Sequence, residues 1–374
     1  MREALAERLL ATVMNWTPED VANERPLLQA MATLKYDEYQ QFAPGIRFVE
    51  SLALWLRQFR TDDERHIAYD FVKLRLVFFS AAEINHLVSI AYPDHIRPLL
   101  IARAARTAGI PERYVTRVAN SKEYGVLRRQ CLFLGLSDGA HIDTFRRATN
   151  KELSHEQIWQ TYEMSPERRD DILSKLAEDL AQLTGTDSSP ATPLFRMVFL
   201  LDDFSGSGIT YLRKEGDDQG IRGKLVKFRD QLQSAESLGK LVNTDDLYVG
   251  IVLYIATKRA EGHLEPLLAE LFRDFPNITY DVHVVHPLDN DVSLDPARDA
   301  PFLTLATAYY DPNAEDEHTR KGGTNVACGF AGCSLPLVLS HNTPNNSMLL
   351  LWANPDTLQV RGLFPRVSRH RSET

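Results

Sequence analysis

The sequence predicts an α/β fold: a mainly parallel sheet with helices on both faces, preceded by an N-terminal helical region. Three observations carry this. Continuous apolar runs at 131–136, 197–201 and 247–255 are too short for typical helices and fit buried strands. Helical segments lie between them, the alternation that builds a parallel sheet covered on both sides. Up to about residue 115 only helical patterning occurs. The expected domains are therefore 1–115, helical, and 116–374, α/β, with a polar insertion at about 213–243.

In chain order, Thr61-Asp62-Asp63-Glu64 is a capping box, whose hydroxyl and carboxylate satisfy orphan amides at a helix start. Ile67, Phe71, Leu74 and Phe78 then recur at helical spacing on one apolar face. Ser80-Ala81-Ala82-Glu83 opens a second helix with Ile84, Leu87, Val88 and Ala91, ended by Tyr92-Pro93-Asp94. A third helical run through Leu99, Leu100, Ala102 and Ala105 closes at Gly109. The strand at 131–136 stops at Ser137-Asp138-Gly139-Ala140. Ser154-His155-Glu156-Gln157 is a further capping box, and Ser165-Pro166-Glu167 starts a helix with Ile172, Leu173, Leu176, Leu180 and Leu183. A polar loop at 184–190 leads to the strand at 197–201. After the strand at 247–255, Thr257-Lys258-Arg259 opens a helix that runs to Phe275. Residues 278–285 alternate as another strand. Segments 286–301 and 311–325, rich in Asp, Pro, Asn and Gly, read as long loops, and 335–340 as a strand ending in His341-Asn342-Thr343-Pro344-Asn345-Asn346.

Length suits two domains, or one large α/β domain with a helical appendage. No uninterrupted apolar stretch is long enough to span a membrane, and the start has no signal-peptide core, so a cytoplasmic protein is expected. The 42 basic and 51 acidic residues give a net charge of −9, which argues against nonspecific nucleic-acid binding by the bulk surface. Three cysteines make no disulfide framework, and Cys328, Cys333 and His341 match no common zinc spacing. His66, His86 and His95 fall in helical segments as structural or exposed residues. A P-loop and a Gly-x-Gly-x-x-Gly fingerprint after a strand are both lacking.

The segment with chemistry is Leu200-Leu201-Asp202-Asp203-Phe204-Ser205-Gly206-Ser207-Gly208-Ile209-Thr210. In open parallel sheets ligands bind beyond the carboxyl ends of the strands. A turn of small residues there, leading into a helix, lets backbone amides converge on a phosphate, and Ser205, Ser207 and Thr210 add hydroxyls. Asp202 and Asp203 would repel that phosphate. Paired carboxylates suit the vicinal hydroxyls of a ribose instead.

This segment resembles the phosphoribosyl-pyrophosphate signature of type I phosphoribosyltransferases. The resemblance implies that Asp202 and Asp203 hold the ribose and that Ser205, Gly206, Ser207, Gly208 and Thr210 wrap the 5′-phosphate. The family often has Thr where this chain has Gly206. Ser137-Asp138-Gly139-Ala140 resembles the family's pyrophosphate loop, without the paired glycines often found there. Lys258 lies where purine-using members place a base-contacting Lys. Together with Phe133 to Asp143, the Arg146-Arg147 pair, and His341 to Ser347 with Leu351-Trp352, these segments are similar to a divergent phosphoribosyltransferase-like branch associated with bacterial conflict and anti-phage systems.

The resemblance implies phosphoribosyl chemistry with Mg²⁺, held mainly by substrate oxygens and reached by Asp138 or Asp202. Ser137, Asp138 and Gly139 would grip the leaving pyrophosphate, with Arg146 and Arg147 as candidates by proximity in sequence. Lys258, Asn342, Asn345 and Asn346 are the acceptor candidates. The insertion, with Lys214, Arg222 and Lys224, is the candidate lid. Each has a plainer alternative: a helix cap for Asp202-Asp203, an ordinary turn for 137–139 and 341–346, a solvated face for Lys258, Arg146 and Arg147. Two function classes stand. One is an enzyme that transfers or hydrolyses the phosphoribosyl group, with a base, nucleotide, nucleic acid or protein as acceptor. The other is a non-catalytic sensor of a nucleotide or phosphoribosyl pyrophosphate that signals to a protein partner.

Overall fold

The structure, a computed structural model, describes residues 3–42, 45–149, 151–161, 165–185, 193–215, 220–234 and 238–366. The chain opens with helices α1 (Glu3–Val13), α2 (Pro18–Leu34), α3 (Phe48–Leu56) and α4 (Asp62–Leu74), then strand β1 (Val77–Phe79) and helix α5 (Ala81–Ile90). A π-helical turn, Ala91–Ile96, carries α5 into α6 (Arg97–Ala108), followed by α7 (Val115–Ala119) and α8 (Lys122–Arg129). Next come β2 (Cys131–Gly135), α9 (Ile142–Ala148), β3 (Ile158–Trp159), α10 (Pro166–Thr184) and β4 (Met197–Ser205). A small hairpin, β5 (Arg213–Lys214) and β6 (Ile221–Arg222), precedes α11 (Lys224–Gln233). Then follow β7 (Leu247–Thr257), α12 (Lys258–Leu271), β8 (Ile278–Leu288), α13 (Ala300–Ala308), α14 (Glu317–Arg320), β9 (Leu337–Leu339) and α15 (Leu349–Trp352). Among the described residues, no helix is long and apolar enough to cross a membrane.

These elements form two compact units, Met1–Ile84 with Asp289–Thr374, and Asn85–Leu288. Sequence reading put the division near residue 115 and assigned the C-terminal stretch to the α/β domain. The structure divides the chain inside α5 instead. The reason is β1, which pairs in parallel with β9 at Val77↔Leu337. Phe78, expected on the face of α4, therefore lies in a strand. Trp55 donates its indole N–H to the Leu350 carbonyl at 2.8 Å, Ser51 its hydroxyl to the Leu363 carbonyl at 2.7 Å, and Phe71 stacks on Phe302. Those buried bonds close the first unit's core.

The second unit is a five-stranded parallel sheet in the order β3-β2-β4-β7-β8. Counted along the chain within this sheet the order is 2-1-3-4-5, so the winding reverses between β2 and β4. A doubly wound sheet opens its ligand crevice at such a reversal, at the carboxyl ends of the strands. Successive side chains of β4 point to opposite faces. Val198 and Leu200 join Ile172, Leu176, Phe228 and Leu264 in one core cluster, while Phe199 stacks on Phe133, at 5.2 Å between centroids, on the other face.

Several local expectations change. Tyr92-Pro93-Asp94 does not end the helix; the π turn absorbs it. The box at Ser154 caps a single 3-10 turn, after which the two-residue edge strand β3 pairs with β2. Residues 286–288 complete β8, α13 starts at the end of the first stretch read as a loop, and α14 lies inside the second. The insertion is no lid over its whole length: Leu225, Phe228 and Leu232 bury α11 in the sheet's core.

One titration follows from this packing. His283 on β8 shares a 2.6 Å hydrogen bond with the Tyr248 hydroxyl, and burial holds its pKa below the usual histidine value, against the pull of Asp281. A depressed histidine makes the unfolded chain bind the proton more tightly. Its stabilising contribution is thus present above the ordinary pKa of about 6.5 and is lost as pH falls through the folded value. The unfolding midpoint is expected to drop between pH 7.5 and 5.5, by at most about 1.4 kcal/mol of stability per pH unit from this group. His283→Gln should flatten that slope; an unchanged slope would clear His283 of the effect.

Candidate functional site

Two segments meet at the sheet reversal: the loop after β2 and the turn after β4. Leu136 donates its amide to the Leu201 carbonyl at 2.9 Å, extending the β2–β4 ladder by one step. Ser137 then caps the 3-10 turn Asp138–Ala140, its Oγ accepting from the Gly139 amide at 3.1 Å. The same hydroxyl donates to the Asp202 carboxylate, so the two segments are joined directly. Tyr254 of β7 donates its hydroxyl to the Ala140 carbonyl at 3.0 Å and fixes the far end of the loop.

The turn after β4 carries the phosphate-type signature. Ser205 Oγ accepts from the Gly208 amide at 3.2 Å, and Ser207 Oγ from the Ile209 amide at 3.4 Å. Gly208 has φ +75°, and a Cβ there would stand 2.8 Å from His263 Cδ2 and 3.0 Å from the Ala260 carbonyl oxygen. Only glycine fits this position. Thr257 caps α12 through the Ala260 amide and donates to the Gly206 carbonyl at 2.7 Å. The backbone amides of Ser207 and Thr210 have no acceptor among the described residues. The expected helix does not follow the turn, which runs into the β5–β6 hairpin. A helix dipole is therefore not part of this cradle; open amides and hydroxyls are what it offers an anion.

Alternation along β4 sends the two neighbouring carboxylates to opposite faces. Asp202 is 1% exposed and accepts from Ser137, from the Tyr211 hydroxyl at 2.7 Å, from Lys224 Nζ at 2.9 Å and from the Asp203 amide at 3.1 Å. Burial pushes its pKa up; Lys224 opposes, and the Asp203 charge adds to the rise. Burial, with both aspartates nearby, also raises Tyr211 and Tyr254 far above the ordinary phenol, so both stay hydroxyl donors. Asp203 is half-buried, takes the Phe204 amide at 2.8 Å, and lies against Gly139. A Cβ on Gly139 would stand 2.5 Å from Asp203 Oδ2.

That contact gives a sharp expectation. Gly139→Ala should leave the unfolding midpoint within about 0.5 kcal/mol of wild type, because a carboxylate end can swing aside. It should still weaken any ligand held by Asp203 about tenfold. Equal ligand affinity in the two proteins would remove Gly139 from the site.

The remaining candidates are placed as follows. Asp138 is exposed on the loop. Arg146 bonds to Asp143 at 2.6 Å and to the Ile158 carbonyl at 3.2 Å, which gives it a task between α9 and β3; Arg147 is exposed beside it. Lys258 is exposed at the first position of α12, next to the Thr257 clamp. Asn342, Asn345 and Asn346 belong to the first unit. There Asn342 closes a turn with Leu339, the Asn345 carbonyl accepts from Phe330, and the buried Asn346 amide donates to the Phe330 carbonyl and to Cys333 Sγ. Thr257, Tyr254, Tyr211 and the Lys224–Asp202 pairing were not read from sequence as parts of the site. The only available signal was alternation, which places Asp202 and Asp203 on different faces. Among the described residues, no group of three or more His, Cys, Asp or Glu could hold a metal.

The family model described as PRTase-CE matches residues 52–366. No curated protein and no solved structure matches the chain.

Proposed function

The chain belongs to the PRTase-CE family of phosphoribosyltransferase-like proteins, and from that premise we propose that it binds phosphoribosyl pyrophosphate with Mg²⁺ and transfers or hydrolyses the phosphoribosyl group. The observation that carries this is the meeting of the two signature segments at the sheet reversal, through Ser137 and Asp202. In this reading the Ser207 and Thr210 amides, with the small residues around them, take the 5′-phosphate. Asp203 accepts from ribose hydroxyls, and the loop 137–139 lies along the pyrophosphate.

The residues fit Mg²⁺ as a substrate-borne ion. That ion needs one or two carboxylates and takes its other ligands from phosphates and water. Asp203, half-buried against Gly139, and Asp138, exposed on the loop, are of that kind, whereas Asp202 is saturated by internal donors. Mg²⁺ supplies neutralisation of the leaving pyrophosphate. In the reaction the C1′–O bond breaks, pyrophosphate leaves with the electron pair, and an acceptor nucleophile bonds to C1′; with water, ribose 5-phosphate forms and the proton goes to solvent. Lys258, at the same edge of the sheet, is the candidate acceptor contact. A part in anti-phage defence follows only from the resemblance.

The test is pyrophosphate release from phosphoribosyl pyrophosphate and Mg²⁺, first with water alone and then with bases, nucleotides and nucleic acid as acceptors. Release supports the enzyme. Binding without release under every acceptor points to the sensor, a reading that the internal commitment of Asp202 favours.

A further inference from the structure

We infer that Lys224 is the cation that meets the ligand's phosphates, and that Asp202 works by holding Lys224 and does not touch the ligand itself. The inference rests on the reading of this crevice as a phosphoribosyl-pyrophosphate site. Adjacent acids in a signature suggest a shared task, but the strand sends them to different faces. A carboxylate has about four lone-pair sites. Those of Asp202 are engaged by Ser137, Tyr211, Lys224 and the Asp203 amide, in a place that is 1% exposed. No acceptor site remains for a ribose hydroxyl.

Lys224 stands differently. Its side chain is 32% exposed, and its ammonium has three donors, of which Asp202 takes one. The ammonium also lies 5.1 Å from the centre of the Tyr211 ring, which narrows its range of motion. Its backbone is pinned to the signature turn: the amides of Lys224 and Leu225 donate to the carbonyls of Thr210 and Tyr211 at 3.1 and 3.2 Å. The lysine is thus fixed at the end of the phosphate-type turn by the same helix that Leu225, Phe228 and Leu232 bury.

Charge balance supports the assignment. Two uncompensated aspartates beside an anion site would repel phosphates. The Asp202–Lys224 pair sums to zero, leaving Asp203 as the one working carboxylate of β4. Asp202 also joins the loop after β2, through Ser137, to the start of α11, so a shift in either segment is felt by the other.

The experiment is calorimetric titration of phosphoribosyl pyrophosphate with Mg²⁺, at low and high salt, into wild type, Lys224→Met, Lys224→Arg, Asp202→Asn and the Asp202→Asn/Lys224→Met double variant. Lys224→Met is expected to bind about tenfold more weakly or worse and to lose part of the salt dependence. Asp202→Asn should weaken binding as well, the double variant should be no weaker than Lys224→Met alone, and arginine should restore much of the affinity. If Lys224→Met is unstable because it leaves a lone buried carboxylate, the double variant, which has none, carries the comparison. Wild-type affinity in Lys224→Met, or losses that add in the double variant, would overturn the inference. A folded wild type that binds nothing would overturn the reading of the site and the inference with it, a result distinguishable because it involves no variant.

Discussion

Asp203→Asn is expected to bind phosphoribosyl pyrophosphate about a hundredfold more weakly than wild type and to release no pyrophosphate, while its unfolding curve stays unchanged. The size follows from charge-assisted hydrogen bonds to a ribose, each worth about 1.5–3 kcal/mol, which an amide makes more weakly and with half its polar atoms turned to the wrong role. The unchanged fold follows from the position. Asp203 is half-buried, and the bond it accepts from the Phe204 amide at 2.8 Å can pass to the amide oxygen of Asn. Titration and thermal unfolding of the same preparations check both halves. Wild-type affinity in Asp203→Asn would mean that β4 offers the ligand nothing, and that the signature persists here as scaffold.

The largest loss of stability is expected at Gly223. This residue has φ +137° and precedes α11, and a Cβ there would enter the carbonyl group of Tyr211. Backbone cannot step aside as a side chain can. Gly223→Ala should therefore cost about 3 kcal/mol or more, seen as a lower urea midpoint for the second unit. Because α11 would be pushed off the turn, Lys224 would leave Asp202 and ligand binding would fall too. Gly262, inside α12 with open space where its Cβ would go, is the contrasting case: Gly262→Ala should stabilise by about 0.5–1 kcal/mol. A Gly223→Ala protein as stable as wild type would show that α11 tolerates displacement.

What was legible in the sequence is what local patterning dictates. Buried runs gave β2, β4 and β7, and capping residues such as Thr61 and Ser165 marked helix starts that are present, with Thr61 and Glu64 bonded reciprocally. The signature and the loop at Ser137 were placed at strand ends, and the fold brings them together at the point where sheet order reverses. Long-range pairing was not legible. Nothing in a three-residue run such as Val77–Phe79 says that it will find Leu337–Leu339, and that pairing moved the domain division. Charge misled at the insertion: Lys214, Arg222 and Lys224 suggested a lid, although Leu225, Phe228 and Leu232, spaced three and four apart, already described a buried face. For the two aspartates the signal was available in the period of two along a strand, and only the resemblance made them look like one unit.

The most direct measurement is calorimetric titration of phosphoribosyl pyrophosphate with Mg²⁺ into wild type and into Asp202→Asn/Asp203→Asn, with pyrophosphate release followed on the same samples. One saturable site in wild type, lost in the variant, is the expected result. No uptake of ligand by a wild type whose circular dichroism and unfolding curve show it folded would contradict the assignment of this crevice.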